Sequence, residues 1–367
     1  VAKEYNISVP AHPSIYQPND RDLDIYFCEP DSGINEETGL LLLINGFGAN
    51  SNSNVYKKMR GNFSDQYNLI TIQCDYFGIE FMGDSDDIRI NEEYFNKLDD
   101  QLKIDLLSSK NSEDVMDWCK KNNIEQLIVD AILKEDLSDF NDMSIMQALD
   151  NITALFLVIA IIRDNGYKIN GNKILCYGYS HGAYLSYLCN AFTGDFFSLI
   201  IDNSAWLFPK YIEMPRYLFS KKDNLMINIK FEYLINKIRY DKELLYLLSL
   251  YNKFESNCTI VSFQGDDDNL VHYIDKKNFC SNLKSCFFEL IDQKKVDGKI
   301  FKSNKHGLGA DFLLLFDYVM KKYNFNFKKD INFKYPEQTN FNTNMYKYII
   351  DYSKEVPILT RTPTNNG

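Results

Sequence analysis

Gly178-Tyr179-Ser180-His181-Gly182 sets a serine between small residues at the spacing G-x-S-x-G. The residues before it, Lys173-Ile174-Leu175-Cys176-Tyr177, have strand character, and Ala183-Tyr184-Leu185-Ser186-Tyr187-Leu188 resumes as a helix. A serine at such a corner sits on strained backbone, with glycines that let strand and helix pass closely. Its hydroxyl projects at the helix N-terminus, where free N–H groups and partial positive charge favour a developing anion. Strand, sharp turn and helix together read as a nucleophile elbow, with Ser180 poised to attack a carbonyl.

A serine attacks only when a base takes its proton, and the base needs an orienting acid. On a doubly wound sheet the acid and then the histidine follow the serine, each behind a later strand. The run Cys258–Phe263 leads into Gln264-Gly265-Asp266-Asp267-Asp268-Asn269-Leu270-Val271, where the spacing G-x-x-D-x-x-V selects Asp268. Asp266 and Asp267 are its competitors. Of the four histidines, His12 precedes any core strand, His181 adjoins the serine, and His272 falls at a helix start. His306, in Lys305-His306-Gly307-Leu308-Gly309 behind the last strand, is therefore the candidate base. The tetrahedral intermediate also needs an oxyanion hole. One donor is the backbone N–H of His181; the second is assigned to Phe47 in Asn45-Gly46-Phe47-Gly48, where glycines let the backbone approach a substrate. Asn45, Gly46 and Trp206 are expected to border the substrate pocket.

These residues need a scaffold, and the hydrophobic pattern supplies one. Glu4–Val9 and Leu23–Cys28 alternate as half-buried strands do, whereas Gly39–Ile44, Leu69–Cys74, Ser198–Ile201, Cys258–Phe263 and Cys286–Ile291 are continuous apolar runs suited to a buried parallel sheet. Ser144–Asp164 carries apolar residues at helical spacing. Strands separated by helical stretches imply βαβ units, hence an α/β fold with helices on both faces of the sheet. Two long stretches, at about 80–141 and 206–256, interrupt the alternation and are expected to be helical insertions forming a lid. Residues 1–324 would then make one domain. Residues 325–367 form an extension with little sheet character, and Thr360–Gly367 is expected to be disordered.

The ordered motifs resemble the α/β-hydrolase superfamily, and the resemblance runs from about Leu23 to Asn324. It implies an eight-stranded, mostly parallel sheet, with a lid inserted after the strand that ends near Asp202-Asn203-Ser204. Asn45-Gly46-Phe47-Gly48 stands where His-Gly-x-Gly is common in that superfamily. More narrowly, Ile201-Asp202-Asn203-Ser204-Ala205-Trp206 and Gln147-Ala148-Leu149-Asp150 resemble the bacterial DUF2920 family, whose members often lie near flagellin-modification or sugar-biosynthesis loci.

Composition narrows the function further. A formal charge of −11 over 367 residues argues against nucleic acid or an anionic membrane as partner. None of the eight cysteines forms a CxxC, and they read as reduced core residues rather than disulfides or metal ligands. No signal-peptide pattern opens the chain and no uncharged apolar run approaches ~20 residues, so a cytoplasmic protein is expected. The reading is a serine esterase that uses no cofactor and no metal and takes a small-molecule ester, such as an acylated sugar. An O-acyltransferase with the same triad, or a hydrolase-fold binding module, is the alternative.

Overall fold

The computed structural model describes all residues except 84, 86, 333, 334 and 365–367. Its central sheet has eight strands: β1 (Lys3–Pro10), β2 (Asp22–Glu29), β3 (Gly39–Ile44), β4 (Leu69–Cys74), β5 (Ile174–Tyr179), β6 (Leu199–Asn203), β7 (Thr259–Gly265) and β8 (Cys286–Ile291). Their spatial order is β1-β2-β4-β3-β5-β6-β7-β8. Strand β2 runs antiparallel to both of its neighbours, and every other pairing is parallel.

All six residues of β3 and of β4 are buried, because helices cover both faces. The period-two alternation divides them. Leu40, Leu42, Ile44, Ile70 and Ile72 face the helices Ile145–Asp164 and His181–Phe192. Leu41, Leu43, Leu175, Tyr177, Val261 and Phe263 face Asn54–Tyr67 and Phe312–Tyr323. Each buried Leu or Ile contributes about 1.5–3 kcal/mol of transfer free energy. Ile145–Asp164 is apolar all round and, by length and composition, would pass for a membrane span; in this fold most of it is buried. Its one buried carboxylate, Asp150, meets Arg21 at 2.5 Å.

The insertions are not the separate helical segments that the pattern suggests. Short helices Glu92–Lys97, Asp100–Leu107 and Ser112–Lys121 are present, yet the two stretches join in a second sheet of four strands. Ile88–Ile90 and Gln126–Ala131 come from the first insertion, Arg216–Lys222 and Leu225–Phe231 from the second. Gln126–Ala131 and Leu225–Phe231 pair in parallel, Leu127 opposite Ile227. Leu106, Trp118, Cys119, Leu127, Val129 and Leu225 form a small core of this inserted layer.

The C-terminal extension also departs from expectation. Gln338–Asn342, Tyr346–Asp351 and Ile358–Pro363 form a three-stranded antiparallel meander. Tyr348, Ile350, Tyr352 and Leu359 are buried beneath it, and the Tyr352 hydroxyl donates to the Phe192 carbonyl at 2.8 Å. Residues 360–363 of the segment expected to be disordered therefore lie in a strand, while 365–367 fall outside the described residues. His12 belongs to this contact, its Nε2 accepting from the Leu359 N–H at 3.1 Å. All eight cysteines are free thiols, and seven are buried.

Candidate active site

Parallel register brings the carboxyl ends of β3, β5, β6 and β7 side by side. Ile44 stands opposite Gly178, Tyr179 opposite Asn203, and Asn203 opposite Phe263. The chain leaves β5 through Ser180, whose backbone has φ 54° and ψ −115° before the helix His181–Phe192 begins. Such an angle is costly for a residue with a Cβ and persists only where its surroundings enforce it. Here the Ser180 N–H donates to the Asn203 carbonyl at 2.8 Å, and the Tyr184 N–H donates to the Ser180 carbonyl at 3.1 Å. Gly182 is required by contact, since a Cβ there would stand 2.2 Å from the Ile44 carbonyl oxygen.

The structure brings the three singled-out side chains into one line. Ser180 Oγ lies 2.6 Å from His306 Nε2, and His306 Nδ1 lies 2.8 Å from Asp268 Oδ2. Since Nδ1 faces a carboxylate it carries the proton, which leaves Nε2 to accept from the serine hydroxyl. Asp268 is held in turn: Oδ2 accepts from Gln264 Nε2 at 2.6 Å, and Oδ1 from the N–H groups of Leu270 and Val271 at 2.7 and 3.1 Å. Burial by itself would raise the Asp268 carboxyl; the hydrogen bond and charge of His306, with the two N–H groups, outweigh it and hold the acid below its ordinary value. The competitors go elsewhere. Asp266 accepts from Asn304 at 2.7 Å, and Asp267 is exposed.

The loop carrying His306 is fastened to the end of β6. The Gly307 N–H donates to Ser204 Oγ at 3.1 Å, and Asn203 Nδ2 reaches the Gly307 carbonyl at 3.5 Å. Ser204 itself adopts φ 61°. Behind this turn the buried carboxylate of Asp202 accepts from Lys276 at 2.6 Å and from Tyr187 and Ser262 at 2.8 Å, and its other oxygen takes the Ala205 N–H at 2.7 Å. Asp202-Asn203-Ser204 thus positions the His306 loop. A strand ending in Asp-Asn-Ser was the available signal.

His181 is the first residue of its helix, so its backbone N–H has no intrahelical partner. Its ring is fixed beneath. Gln147 Nε2 donates to the Phe77 carbonyl and to Asn141 Oδ1, which orients Gln147 Oε1 to accept from His181 Nε2 at 2.6 Å. His181 Nδ1 is then unprotonated, buried and without a partner, and burial pushes the ring down to about 3. Sequence reasoning passed over Gln147 as a support for this ring.

The Asn45–Gly48 turn lies against the elbow. A Cβ on Gly46 would stand 2.4 Å from the Tyr179 ring, so only glycine fits. Asn45 does not border a pocket with its side chain, contrary to expectation. It is buried, donates to Ser51 Oγ at 2.6 Å and accepts from Gln73, which in turn accepts from the buried Arg60. The side chain holds the loop from below. The Phe47 ring sits among aromatic groups: centroids lie at 5.8 Å from His181, 5.9 Å from Trp206, and 6.0 Å from Tyr211 and from Tyr233. Trp206 also packs 5.1 Å from the His181 ring. Arg216, from the inserted layer, places its guanidinium carbon 5.0 Å above Phe47, and nothing in the local sequence announced it. Among the described residues, no group of three or more His, Cys, Asp or Glu side chains has metal-binding geometry.

A sheet of this strand order with one antiparallel strand, a serine elbow after β5, and Asp268 and His306 behind later strands defines an α/β-hydrolase fold. Residues 32–233, more than half of the chain, match the family described as a protein of unknown function, DUF2920, and the chain belongs to that family. No curated protein matches it in sequence. Among solved structures it is similar to Est1E from Butyrivibrio proteoclasticus, with 15% identity, 87% of this chain and 97% of that chain covered, and a TM-score of 0.44. It is also similar to Thermogutta terrifontis esterase 2 phosphonylated by sarin, with 13% identity, 85% and 92% covered, and a TM-score of 0.43.

Proposed function

We propose that the chain is a serine hydrolase that cleaves carboxylic esters through an acyl-enzyme, on a small-molecule ester such as an acylated sugar. The observation that carries this reading is the line Ser180 Oγ, His306 Nε2, His306 Nδ1, Asp268 Oδ2, with spacings of 2.6 and 2.8 Å. In this reading Ser180 attacks the carbonyl carbon while His306 Nε2 takes its proton, and Asp268 stabilises the imidazolium that results. The oxyanion is met by the N–H groups of His181 and Phe47, the first of which stands at the positive end of a helix. His306 returns the proton to the departing alkoxide. It then activates water, which splits the acyl-enzyme to acid and free enzyme.

Labelling with a fluorophosphonate probe tests the nucleophile. Labelling of the wild-type chain that is absent from Ser180→Ala, together with ester turnover lost in the same variant, is the expected result. A Ser180→Ala variant that keeps its labelling or its turnover overturns the assignment. Ser180 is only 5% exposed, and the ring of the next residue, His181, is packed by Phe47 and Trp206, which limits access of water to the acyl-enzyme. That enclosure favours one second reading, transfer of the acyl group to an acceptor hydroxyl. Product analysis with an acyl donor and candidate sugar acceptors separates the two, an excess of transferred over hydrolysed acyl group marking a transferase.

A further inference from the structure

Arg21 and Arg60, each packed on an aromatic ring, hold carboxylates, and Arg216, packed on Phe47, does not. Arg21 pairs with Asp150 and Arg60 with Glu4. Arg216 forms no ion pair with any described carboxylate; it donates to the Met82 carbonyl at 3.2 Å and also reaches the Tyr233 hydroxyl. Its guanidinium carbon lies 5.0 Å from the Phe47 ring centroid and 5.3 Å from that of Phe231, so the flat faces of the group are engaged and its N–H edge is left to bond. Glu135, a carboxylate close enough to act on Tyr233, is occupied by the N–H groups of Leu234 and Asn141 at 2.6 and 2.9 Å.

A second observation points at the same spot. The indole N–H of Trp206 is a buried donor with no partner, His181 Nδ1 is a buried acceptor with none, and the buried Tyr233 hydroxyl meets the Arg216 guanidinium, which leaves its own O–H to donate. All three rings pack directly on Phe47. Buried polar atoms are nearly always bonded in native proteins, and each orphan is costly. Two such orphans and a hydroxyl proton left to donate, around one ring, beside a cation with no counterion among the described residues and next to the elbow, mark a place built to receive a polar ligand group.

Resting on the serine-hydrolase reading, we propose that Arg216, with the Trp206 N–H and the Tyr233 hydroxyl, forms a subsite that selects esters whose molecule also carries a carboxylate. A single guanidinium edge with two neutral donors matches a planar monoanion. Arg216 is the cation that stands over the Phe47 ring, whereas Lys210 stands over the neighbouring Tyr211 ring, at 5.7 Å. A phosphate dianion would call for a second positive group beside the first. Arg216 is here a specificity residue; it does not take part in the bond-making at Ser180.

The test uses three aryl acetates that differ in one group: 3-acetoxybenzoate, its neutral amide 3-acetoxybenzamide, and 3-acetoxyphenyl phosphate. The expected wild-type result is a kcat/KM for the carboxylate at least tenfold above that for the amide and above that for the phosphate. In Arg216→Gln the carboxylate-to-amide ratio should collapse by about 10- to 100-fold, the range for losing a charged hydrogen bond, with the change mainly in KM. Arg216→Lys, which keeps charge but not the fork, should recover part of the ratio. Equal wild-type rates on carboxylate and amide, a preference for the phosphate, or an equal loss on all three substrates in Arg216→Gln overturns the proposal. Failure of the hydrolase reading is told apart by calorimetric binding of the product 3-hydroxybenzoate to the full chain. Binding that Arg216→Gln abolishes supports the subsite even if Ser180 takes no label, and absence of binding removes it.

Discussion

The central sheet and the inserted layer are both α/β structures, and they are stabilised on different scales. Strands β3 and β4 are buried at every position, with apolar side chains on both faces and a 20-residue helix behind them. In the inserted layer Gln126–Ala131 is buried only at alternate positions, and Arg216–Lys222 exposes most of its length. The layer's own core consists of six buried residues, with Trp118 the largest. Dense packing on two faces leaves a sheet with one register, and that register is what holds Ser180, Asn203 and the Asp268 turn to hydrogen-bond tolerance. A half-buried sheet with a thin core holds its shape less firmly, and it touches the site at one end only. Arg216 begins its strand and pairs with Phe231, the last residue of the next. On the proposed reading, chemistry rests on the rigid part and selectivity on the part that can vary.

The largest effect sharpens the rigid side of that contrast. Ser180→Ala and His306→Ala are expected to cut ester turnover by about 10^4- to 10^6-fold, as in other triads, and Asp268→Asn by about 10^4-fold. Thermal unfolding of these three variants should stay close to wild type, because none removes a buried apolar side chain. A turnover loss under tenfold for Asp268→Asn would show that His306 is oriented by its loop alone.

Core truncations probe the two regions directly. Leu175→Ala in β5 should destabilise the whole molecule by about 2–5 kcal/mol, seen as a lower denaturant midpoint and protection lost throughout the sheet. Leu127→Ala in the inserted layer removes the same volume, but its cost should appear as faster amide exchange confined to residues 88–131 and 216–231, with turnover of a neutral ester retained. If Leu127→Ala lowered the global midpoint as much as Leu175→Ala does, the two regions would be one cooperative unit and the contrast would fall.

The same contrast decides what could be read from the sequence. Largely apolar runs announced β3, β4 and β8 to the residue; β3 and β4 are covered on both faces, and β8, at the sheet edge, was marked by its apolar run alone. Ser180, Asp268 and His306 were legible because each follows such a strand in a fixed order. The inserted sheet was not. Its Arg216–Lys222 strand, RYLFSKK, groups its apolar residues together instead of alternating them, and its central pairing joins segments about a hundred residues apart, a contact that no local periodicity encodes. The C-terminal meander hid for a similar reason: QTNFN and ILTRTP are polar or proline-bearing and bury alternate side chains only. Asn45 was misplaced because a loop sequence does not show which way a buried amide turns. Arg216 was invisible because its partner, Phe47, lies on the other side of the molecule's chain order.

A smaller effect is expected from pH. His181, pushed down to about 3 by burial, must stay neutral in the fold, whereas in the unfolded chain it titrates near 6.5. Its folded value is the lower one, so the stability it permits is full above pH 6.5 and is lost as pH falls from there toward 3. Between pH 7 and pH 5 this amounts to about 2 kcal/mol. Asp142 and Asp150, raised by burial to about 6, act in the opposite sense, so the wild-type profile alone does not isolate the histidine. The difference between wild type and His181→Asn does: it should shrink by about 2 kcal/mol on acidification from pH 7 to pH 5. A difference that stays constant over that range would mean that His181 is solvated rather than buried.

The smallest effect belongs to the surface of the inserted layer. Its helix Glu92–Lys97 buries no residue and carries an ion pair at 2.6 Å between Lys97 and Glu93, with both side chains more than 70% exposed. Such a pair gains little over hydration and spends side-chain entropy to form, and salt screens what remains. Lys97→Ala should therefore leave the unfolding midpoint unchanged at physiological salt, and the exchange rates of Gln126–Ala131 unchanged with it. A clear loss of protection in that strand would mean that the thin layer is held by surface charge as much as by its core. Raising the salt concentration on the wild-type chain would then reproduce the effect of the substitution. If salt does nothing, what holds the layer together is Leu106, Trp118, Leu127 and Leu225, and Leu127→Ala becomes the decisive perturbation of the two.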